Sequence, residues 1–355
     1  MKPWPQHPQK ILVRSTNWIG DAVMTTPAVR TIRESFPESE IVMLVHPWVS
    51  DVFRYSPRVD RLIMYEKKGR HKGLAGMWRL AGELRQERFD CAILLQNAFE
   101  AALLAVLAGI PVRGGYTTDG RGLLLTHGVQ KINELNKKHE VNYYQRIMRG
   151  LGLKTAVNEL ELFIPGDQVD AAKRRLGELT GFHPAGAPVI GFNPGAAFGP
   201  AKRWPTDKFA ELARILCRHT DCRILLFGSM ADRDTAVAVK NFAGPEAASR
   251  MIDLTGATSL IEAMALIGEC DVFVTNDSGL MHVAAALHTP LVAIFGSTDH
   301  VATGPFSDNA VIIRKPLPCS PCKKSHCPEK HFRCMKLIDS DEVGQAVLRI
   351  LKETR

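Results

Sequence analysis

Asp277, Ser278, Gly279 and His282 stand where the sequence passes from strand to helix. The run Asp271-Val272-Phe273-Val274-Thr275 reads as a short buried strand, and the residues after Gly279 as a helix of small side chains. Asp277 or Ser278 can cap that helix, and Gly279 lets another group approach the backbone closely. The first turn of a helix carries free N–H groups and about half a unit of positive charge, so this corner can hold a phosphate. An ordinary well-capped corner has the same residues, and pieces elsewhere must decide between the two.

Two other loops supply such pieces. Asn193-Pro194-Gly195-Ala196 follows a strand at 189–192 and leads to Lys202-Arg203-Trp204-Pro205, while Gly228-Ser229-Met230-Ala231-Asp232 follows a strand at 223–227. In a parallel sheet these loops share one edge, so Lys202 and the helix start at Ser278-Gly279 could grip one diphosphate. Lys202 would act as a point charge and the helix backbone as a set of directed donors. Asp232 reads equally as the acceptor for a ribose hydroxyl and as the cap of its own helix. Near the start of the chain, Asn17-Trp18-Ile19-Gly20-Asp21 closes the first strand. Asp21, if ionised there, could take a proton from an attacking hydroxyl. It reads also as an N-cap, and Thr26 before Pro27 offers a second helix start.

Alternating strand and helix patterns position these loops. The first round runs from the strand at 10–14 through Ala22, Thr25, Val29, Ile32 and Phe36 at helical spacing. It continues with strands at 41–45, 62–65 and 91–95 and helices near 74–87 and 141–151, with loops and short strands over 110–138. Phe163-Ile164-Pro165-Gly166-Asp167 is the best candidate hinge. The second round has helices at 169–179, 207–218, 232–242 and 259–267, strands at 189–192, 223–227, 271–275 and 291–295, and a closing amphipathic helix at 342–351. Such alternation implies parallel sheets covered on both faces, with ligands at the C-terminal ends of the strands. Neither a G-x-G-x-x-G nor a Walker A motif is present, which removes support for the usual dinucleotide and NTPase readings.

The chain of 355 residues is long for a single core, and two α/β domains are expected. Its composition, 45% hydrophobic and 23% charged, is that of soluble globular proteins. The polar, proline-rich segment 1–10 has no apolar stretch resembling a secretory signal, and the longest apolar run, 101–110, is about half a membrane span. A soluble protein with at most peripheral membrane contact is therefore expected. Of the net charge of +8, residues 1–165 carry +7 and the remainder +1. One half thus suits an acidic partner such as nucleic acid, anionic lipid or a phosphorylated sugar. The densest basic stretch is Lys67-Lys68-Gly69-Arg70-His71-Lys72, which reads first as a solvated loop. Cys91, Cys217, Cys222 and Cys270 are scattered over strands and helices as buried thiols would be. Cys319, Cys322, Cys327 and Cys334 cluster with two, four and six intervening residues. That opening is compatible with structural zinc, but the later spacings fit no standard motif, and a thiol-rich loop is the main reading.

Together these residues resemble the family 9 glycosyltransferases, the lipopolysaccharide heptosyltransferases, and among them the heptosyltransferase II subfamily. The landmarks are Gly20-Asp21-Ala22-Val23-Met24-Thr25-Thr26-Pro27, Asn193-Pro194-Gly195-Ala196, Lys202-Arg203-Trp204-Pro205 and Asn276-Asp277-Ser278-Gly279-Leu280-Met281-His282, with the Cys319–Cys334 cluster in support. The resemblance, spanning about residues 10–350, implies an α/β GT-B fold in which two Rossmann-like parallel-sheet domains face each other across a cleft. It implies an acceptor domain (1–165), a nucleotide-sugar domain (166–335) and a C-terminal helix (336–355) that crosses back to the first domain. It also implies ADP-heptose as donor, the heptose on the acidic Kdo–lipid A core as acceptor, and a place at the cytoplasmic face of the inner membrane. No cofactor, metal or nucleic acid is implied. Carried over residue by residue, Asp21 is the general base and Lys202 the phosphate ligand. Asn193, Gly195, Gly228, Ser229, Asp232, Asp277, Ser278, Gly279 and His282 line the nucleotide-sugar site. Asp232 stands where relatives often have glutamate, which leaves its ribose role open. Two other classes remain: a sugar-nucleotide epimerase, for which one carboxylate in the first domain is too few, and a basic nucleic-acid module, against which only 7% of residues are aromatic.

Overall fold

The computed structural model describes residues 4–132, 138–155, 157–181 and 187–354. The beginning of the polar segment 1–10 and part of the loop region 110–138 lie outside the described residues. The chain divides into two compact units, one up to Phe163 and one from Ile164.

The first unit is built on strands β1 (Lys10–Arg14), β2 (Glu40–Val45), β3 (Arg61–Met64), β4 (Cys91–Leu94), β5 (Val112–Tyr116) and β6 (His127–Val129). Helices α1 (Ile19–Met24), α2 (Thr26–Ser35), α3 (Asp51–Arg54), α4 (Gly73–Gln86), α5 (Phe99–Leu107) and α6 (Glu140–Gly150) connect them. The sheet order is β3-β2-β1-β4-β5-β6 and every pairing is parallel, with Leu12 opposite Val42 on one side and Ala92 on the other. Buried on both faces, β1 and β4 consist of apolar side chains for most of their length.

The helical stretch after β1 is broken in two at Thr25, and α2 begins at Thr26 with Pro27 behind it, the second start that the sequence offered. Pro27 has no N–H to donate and its ring crowds the carbonyl four residues earlier. The Thr25 and Thr26 hydroxyls donate instead to the Ala22 and Val23 carbonyls, at 2.6 and 2.8 Å. Helix α5, the strands β5 and β6, and the short α3 were not resolved individually in the sequence.

The second unit repeats the plan with β7 (Val189–Asn193), β8 (Arg223–Leu226), β9 (Met251–Asp253), β10 (Val272–Asn276), β11 (Leu291–Phe295) and β12 (Ala310–Arg314), in the order β12-β11-β10-β7-β8-β9 and again all parallel. Its helices are α7 (Gly166–Thr180), α8 (Thr206–His219), α9 (Arg233–Ser249), α10 (Leu260–Gly268), α11 (Gly279–Ala286), α12 (His300–Thr303), α13 (Arg333–Lys336) and α14 (Ser340–Glu353). Each unit thus has the doubly wound strand order in which the direction of winding reverses between its first and fourth strands, β1/β4 and β7/β10. In sheets of this order ligands bind at that reversal, outside the carboxyl ends of the strands.

The final helix seats its apolar face in the second unit. Val343, Ala346, Val347, Ile350 and Leu351 join the core under β7, β8, β10 and β11, and Gly344 leaves room for Ile215 of α8. The Ser340 hydroxyl donates to the Lys208 carbonyl at 3.1 Å. No helix among the described residues is long and apolar enough to cross a membrane.

Candidate active site

At the β7/β10 reversal, the side chains at the strand ends tie two loops together. Asn276, fully buried, accepts the Trp204 amide on Oδ1 (3.0 Å) and donates from Nδ2 to the Pro194 carbonyl (2.8 Å). Asn193 donates to the Phe227 carbonyl (3.0 Å) and accepts the Ser278 hydroxyl (2.7 Å). Thr275 adds its hydroxyl to the Asn276 carbonyl (2.7 Å) and lies 3.1 Å from the Ser278 hydroxyl. The loops after β7 and β10 are thereby fixed against one another before any ligand arrives.

Ser278, and not Asp277, caps α11: its hydroxyl accepts the Met281 amide at 3.3 Å. Asp277 turns to Lys202, whose ammonium lies 2.6 Å from its carboxylate and 4.9 Å from the Phe198 ring centre. Lys202 ends a single 3-10 turn, Pro200–Lys202, and the next residue but one, Trp204, is sunk in the core with its indole N–H on the Ile338 carbonyl (3.2 Å). The Lys-Arg-Trp-Pro run therefore works as an anchor followed by a helix start, with the cation held just ahead of the anchor. His282 is buried within the first turn of α11.

The β8 loop packs against the same edge. Asp232 closes a capping box, accepting the Ser229 amide (3.0 Å) and hydroxyl (2.7 Å). Its carboxylate lies directly over Gly195, where an added Cβ would meet Oδ1 at 2.3 Å, and Gly228 is similarly confined at 2.9 Å from the Asp232 Cβ. Asp232 thus braces the turn ahead of α9 but gives that helix no side-chain cap, and the Arg203 guanidinium is 4.0 Å away. Asn193, Gly195, Lys202, Gly228, Ser229, Asp232, Asp277, Ser278, Gly279 and His282 all belong to these loops and helix starts of the second unit.

Asp21 belongs to the first unit. It is in the first turn of α1, whose N-cap is Trp18, so it is not the cap. Tyr144 of α6 is its neighbour: burial first, and the negative charge of Asp21 second, push that phenol well above its ordinary range. The same strand edge carries a buried network that sequence reasoning missed. The Arg14 guanidinium donates to the Ser15 and Leu44 carbonyls (2.9 and 3.1 Å), to Asn17 Oδ1 (3.0 Å) and to His46 Nε2 (3.2 Å). His46 donates from Nδ1 to the Tyr65 carbonyl (2.8 Å), and its ring stacks between Trp48 and Tyr65. Burial, followed by the Arg14 charge, lowers the His46 pKa to about 4, so the imidazole is neutral at physiological pH. Burial also lowers Arg14, to about 10.

Buried hydroxyls without a hydrogen-bond partner among the described residues mark further places along these edges: Thr16 after β1, and Ser297 and Thr298 after β11. The Gly296-Ser297-Thr298-Asp299 loop is a fourth strand-to-helix corner that the sequence reading passed over, with Asp299 capping α12 through the Val301 amide at 3.1 Å.

Cys91, Cys217, Cys222 and Cys270 are buried, as expected. Cys319, Cys322, Cys327 and Cys334 line one small cavity beside Ala201 and Ser297, but among the described residues no group of three or more His, Cys, Asp or Glu is placed to hold a metal ion.

The sequence profile of "Glycosyltransferase family 9 (heptosyltransferase)" matches residues 77–333. The chain belongs to this family. It is a glycosyltransferase, and its two parallel-sheet α/β units are those of the GT-B fold. Lipopolysaccharide heptosyltransferase 2 of Escherichia coli is 34% identical to it over 307 residues, covering 86% of this chain and 88% of that protein. The structure of the E. coli ADP-heptose LPS heptosyltransferase II superposes with a TM-score of 0.81 at 30% identity, over 97% of this chain and 99% of that one. A family 9 glycosyl transferase from Veillonella parvula superposes with a TM-score of 0.87 at 25% identity, over 99% of this chain and all of that one.

Proposed function

We propose that this family 9 enzyme transfers L-glycero-D-manno-heptose from ADP-heptose to the first heptose of the lipopolysaccharide inner core, heptosyl-Kdo2-lipid A. The reaction inverts the anomeric centre and takes place at the cytoplasmic face of the inner membrane. The observation that carries this reading is the Lys202–Asp277 pair beside the Ser278-capped start of α11 at the β7/β10 reversal, in a chain whose relatives bear the heptosyltransferase 2 name.

In the proposed step the acceptor hydroxyl oxygen attacks the anomeric carbon of the donor. The new C–O bond forms as the bond to the diphosphate breaks, ADP departs, and the hydroxyl proton passes to the Asp21 carboxylate. The departing diphosphate gains negative charge, which the Lys202 ammonium and the free N–H groups of α11 offset in place of a divalent cation. Ser278, Asn193 and Asn276 hold those donors in position, and the close-packed Gly195 and Gly228 let the donor approach the backbone.

The test is incubation of the purified protein with ADP-heptose and heptosyl-Kdo2-lipid A, beside Kdo2-lipid A lacking the heptose. Transfer to the first acceptor alone is the expected result. Absence of product from both, with a control enzyme active, would refute the reading; product from the second alone would move the enzyme to another core position.

A further inference from the structure

The basic stretch that read as a solvated loop is exposed, and His71 anchors it. Lys67, Lys68, Arg70, Lys72 and Arg79 are all exposed, and no Asp or Glu occurs between residues 67 and 79. His71 is buried; its amide donates to the Glu66 carbonyl (3.0 Å) and its Nδ1 accepts the Glu66 amide (3.1 Å). Gly76 of α4 lies so close over the His71 backbone that a Cβ there would meet the carbonyl carbon at 2.1 Å. Lys67 is paired with Glu100 and Arg70 with Glu83, while Lys68 and Lys72 have no ion pair among the described residues.

Large apolar side chains stand exposed next to these cations. Leu74 is 76% and Trp78 58% exposed, one helical turn apart on α4. Phe99, which opens α5, is 47% exposed, and Leu123, in the 3-10 turn Arg121–Leu124, is 98% exposed. Helix α4 packs on α5, and α5 on that turn. These pieces follow β3, β4 and β5, so they leave the sheet at the same carboxyl edge from which α1 rises with Asp21 after β1.

We infer that this corner of the first unit docks on an anionic lipid bilayer. Leu74, Trp78 and Leu123 enter the interface while Lys68, Lys72 and Arg79 meet lipid phosphates. The charge pattern selects the partner: cations lacking protein counter-charges beside a tryptophan and isolated leucines match the amphipathic boundary of a bilayer. A lipid-linked acceptor would then reach the carboxyl edge of the sheet without leaving the membrane. The inference rests on the proposed function for its purpose but on the patch for its chemistry.

The test is flotation of the full-length protein with phosphatidylcholine vesicles, with and without phosphatidylglycerol, in the absence of donor and acceptor. The wild type is expected to float with the anionic vesicles and to be released by added salt. Lys68→Gln with Lys72→Gln is expected to lower partitioning about 25-fold, at roughly fivefold per cation removed. Leu74→Ser with Trp78→Ser is expected to lower it about tenfold or more, with thermal stability and transfer to a detergent-dispersed acceptor unchanged. Flotation that ignores lipid charge, variants that float like the wild type, or a wild type that stays in solution would each overturn the inference. So would a wild-type dimer that the Leu74/Trp78 variant converts to monomers, since the patch would then be a self-interface. Patch-dependent flotation in a protein without heptosyltransferase activity would refute the proposed function and leave the docking surface standing.

Discussion

The Lys202 ammonium lies 2.6 Å from the Asp277 carboxylate, and both groups are largely withdrawn from water. A cation so placed is already balanced, and under the proposed function the donor diphosphate would share it with Asp277. The pair therefore has two duties, holding a fold element and presenting a charge, and substitutions can separate them. Lys202→Ala is expected to weaken donor binding about 10- to 100-fold, the worth of one charge-assisted hydrogen bond. It also leaves Asp277 buried and unpaired, at about 3–5 kcal/mol of stability. The double variant Lys202→Met/Asp277→Asn should regain most of that stability without regaining donor affinity. Chemical unfolding and donor titration by calorimetry measure the two effects separately.

Asp21→Asn preserves shape and removes the basic oxygen. Turnover is expected to fall about 10²- to 10⁴-fold while donor affinity stays within about twofold, because a general base acts on the acceptor's proton and not on the donor. Steady-state kinetics with donor binding measured alongside decide the matter; a collapse of donor affinity would remove Asp21 from the proposed role.

His46 gives the fold a pH dependence of known sign. Its folded-state pKa of about 4 is below the unfolded value near 6.5, so the unfolded chain binds the extra proton between those limits. Stability from this residue is complete above about pH 6.5 and is lost progressively as pH falls toward 4, by roughly 3 kcal/mol at most. Urea unfolding at pH 7.5 and pH 5 should show the loss, and His46→Gln should flatten the difference between the two.

Gly195→Ala would place a methyl group 2.3 Å from Asp232 Oδ1. The capping box of Ser229 and Asp232 must then shift, and the donor loops with it. Donor KM is expected to rise about tenfold or more with a smaller change in kcat, since an overpacked contact costs about 1–3 kcal/mol. An unchanged KM would show that the β8 loop lies outside the donor site.

The elements legible in the sequence were those with a clear period or an unbroken apolar run. Val272–Asn276 and Leu291–Phe295 form buried strands because consecutive apolar residues suit a sheet covered on both faces. Helix α5 was passed over because it is apolar nearly all round and gives no period, and β9 because three residues give none either. Within the site, the loop residues could be named from their types, but their bonds could not. Whether Asp277 or Ser278 caps α11 depends on where Lys202 falls, and Lys202 is 75 positions earlier in the chain. Arg14 and His46 were invisible for a similar reason: each looks like a strand-end residue until β1 and β2 are set side by side.

The lattice of amides at Asn193 and Asn276 has a thermodynamic consequence. Four backbone segments, from Phe192 to Gly195 and from Trp204, Phe227 and Thr275 onward, lose their freedom when the protein folds. Little disorder remains in them for a nucleotide to quench, so the entropic toll of association should fall on the ligand and not on the scaffold.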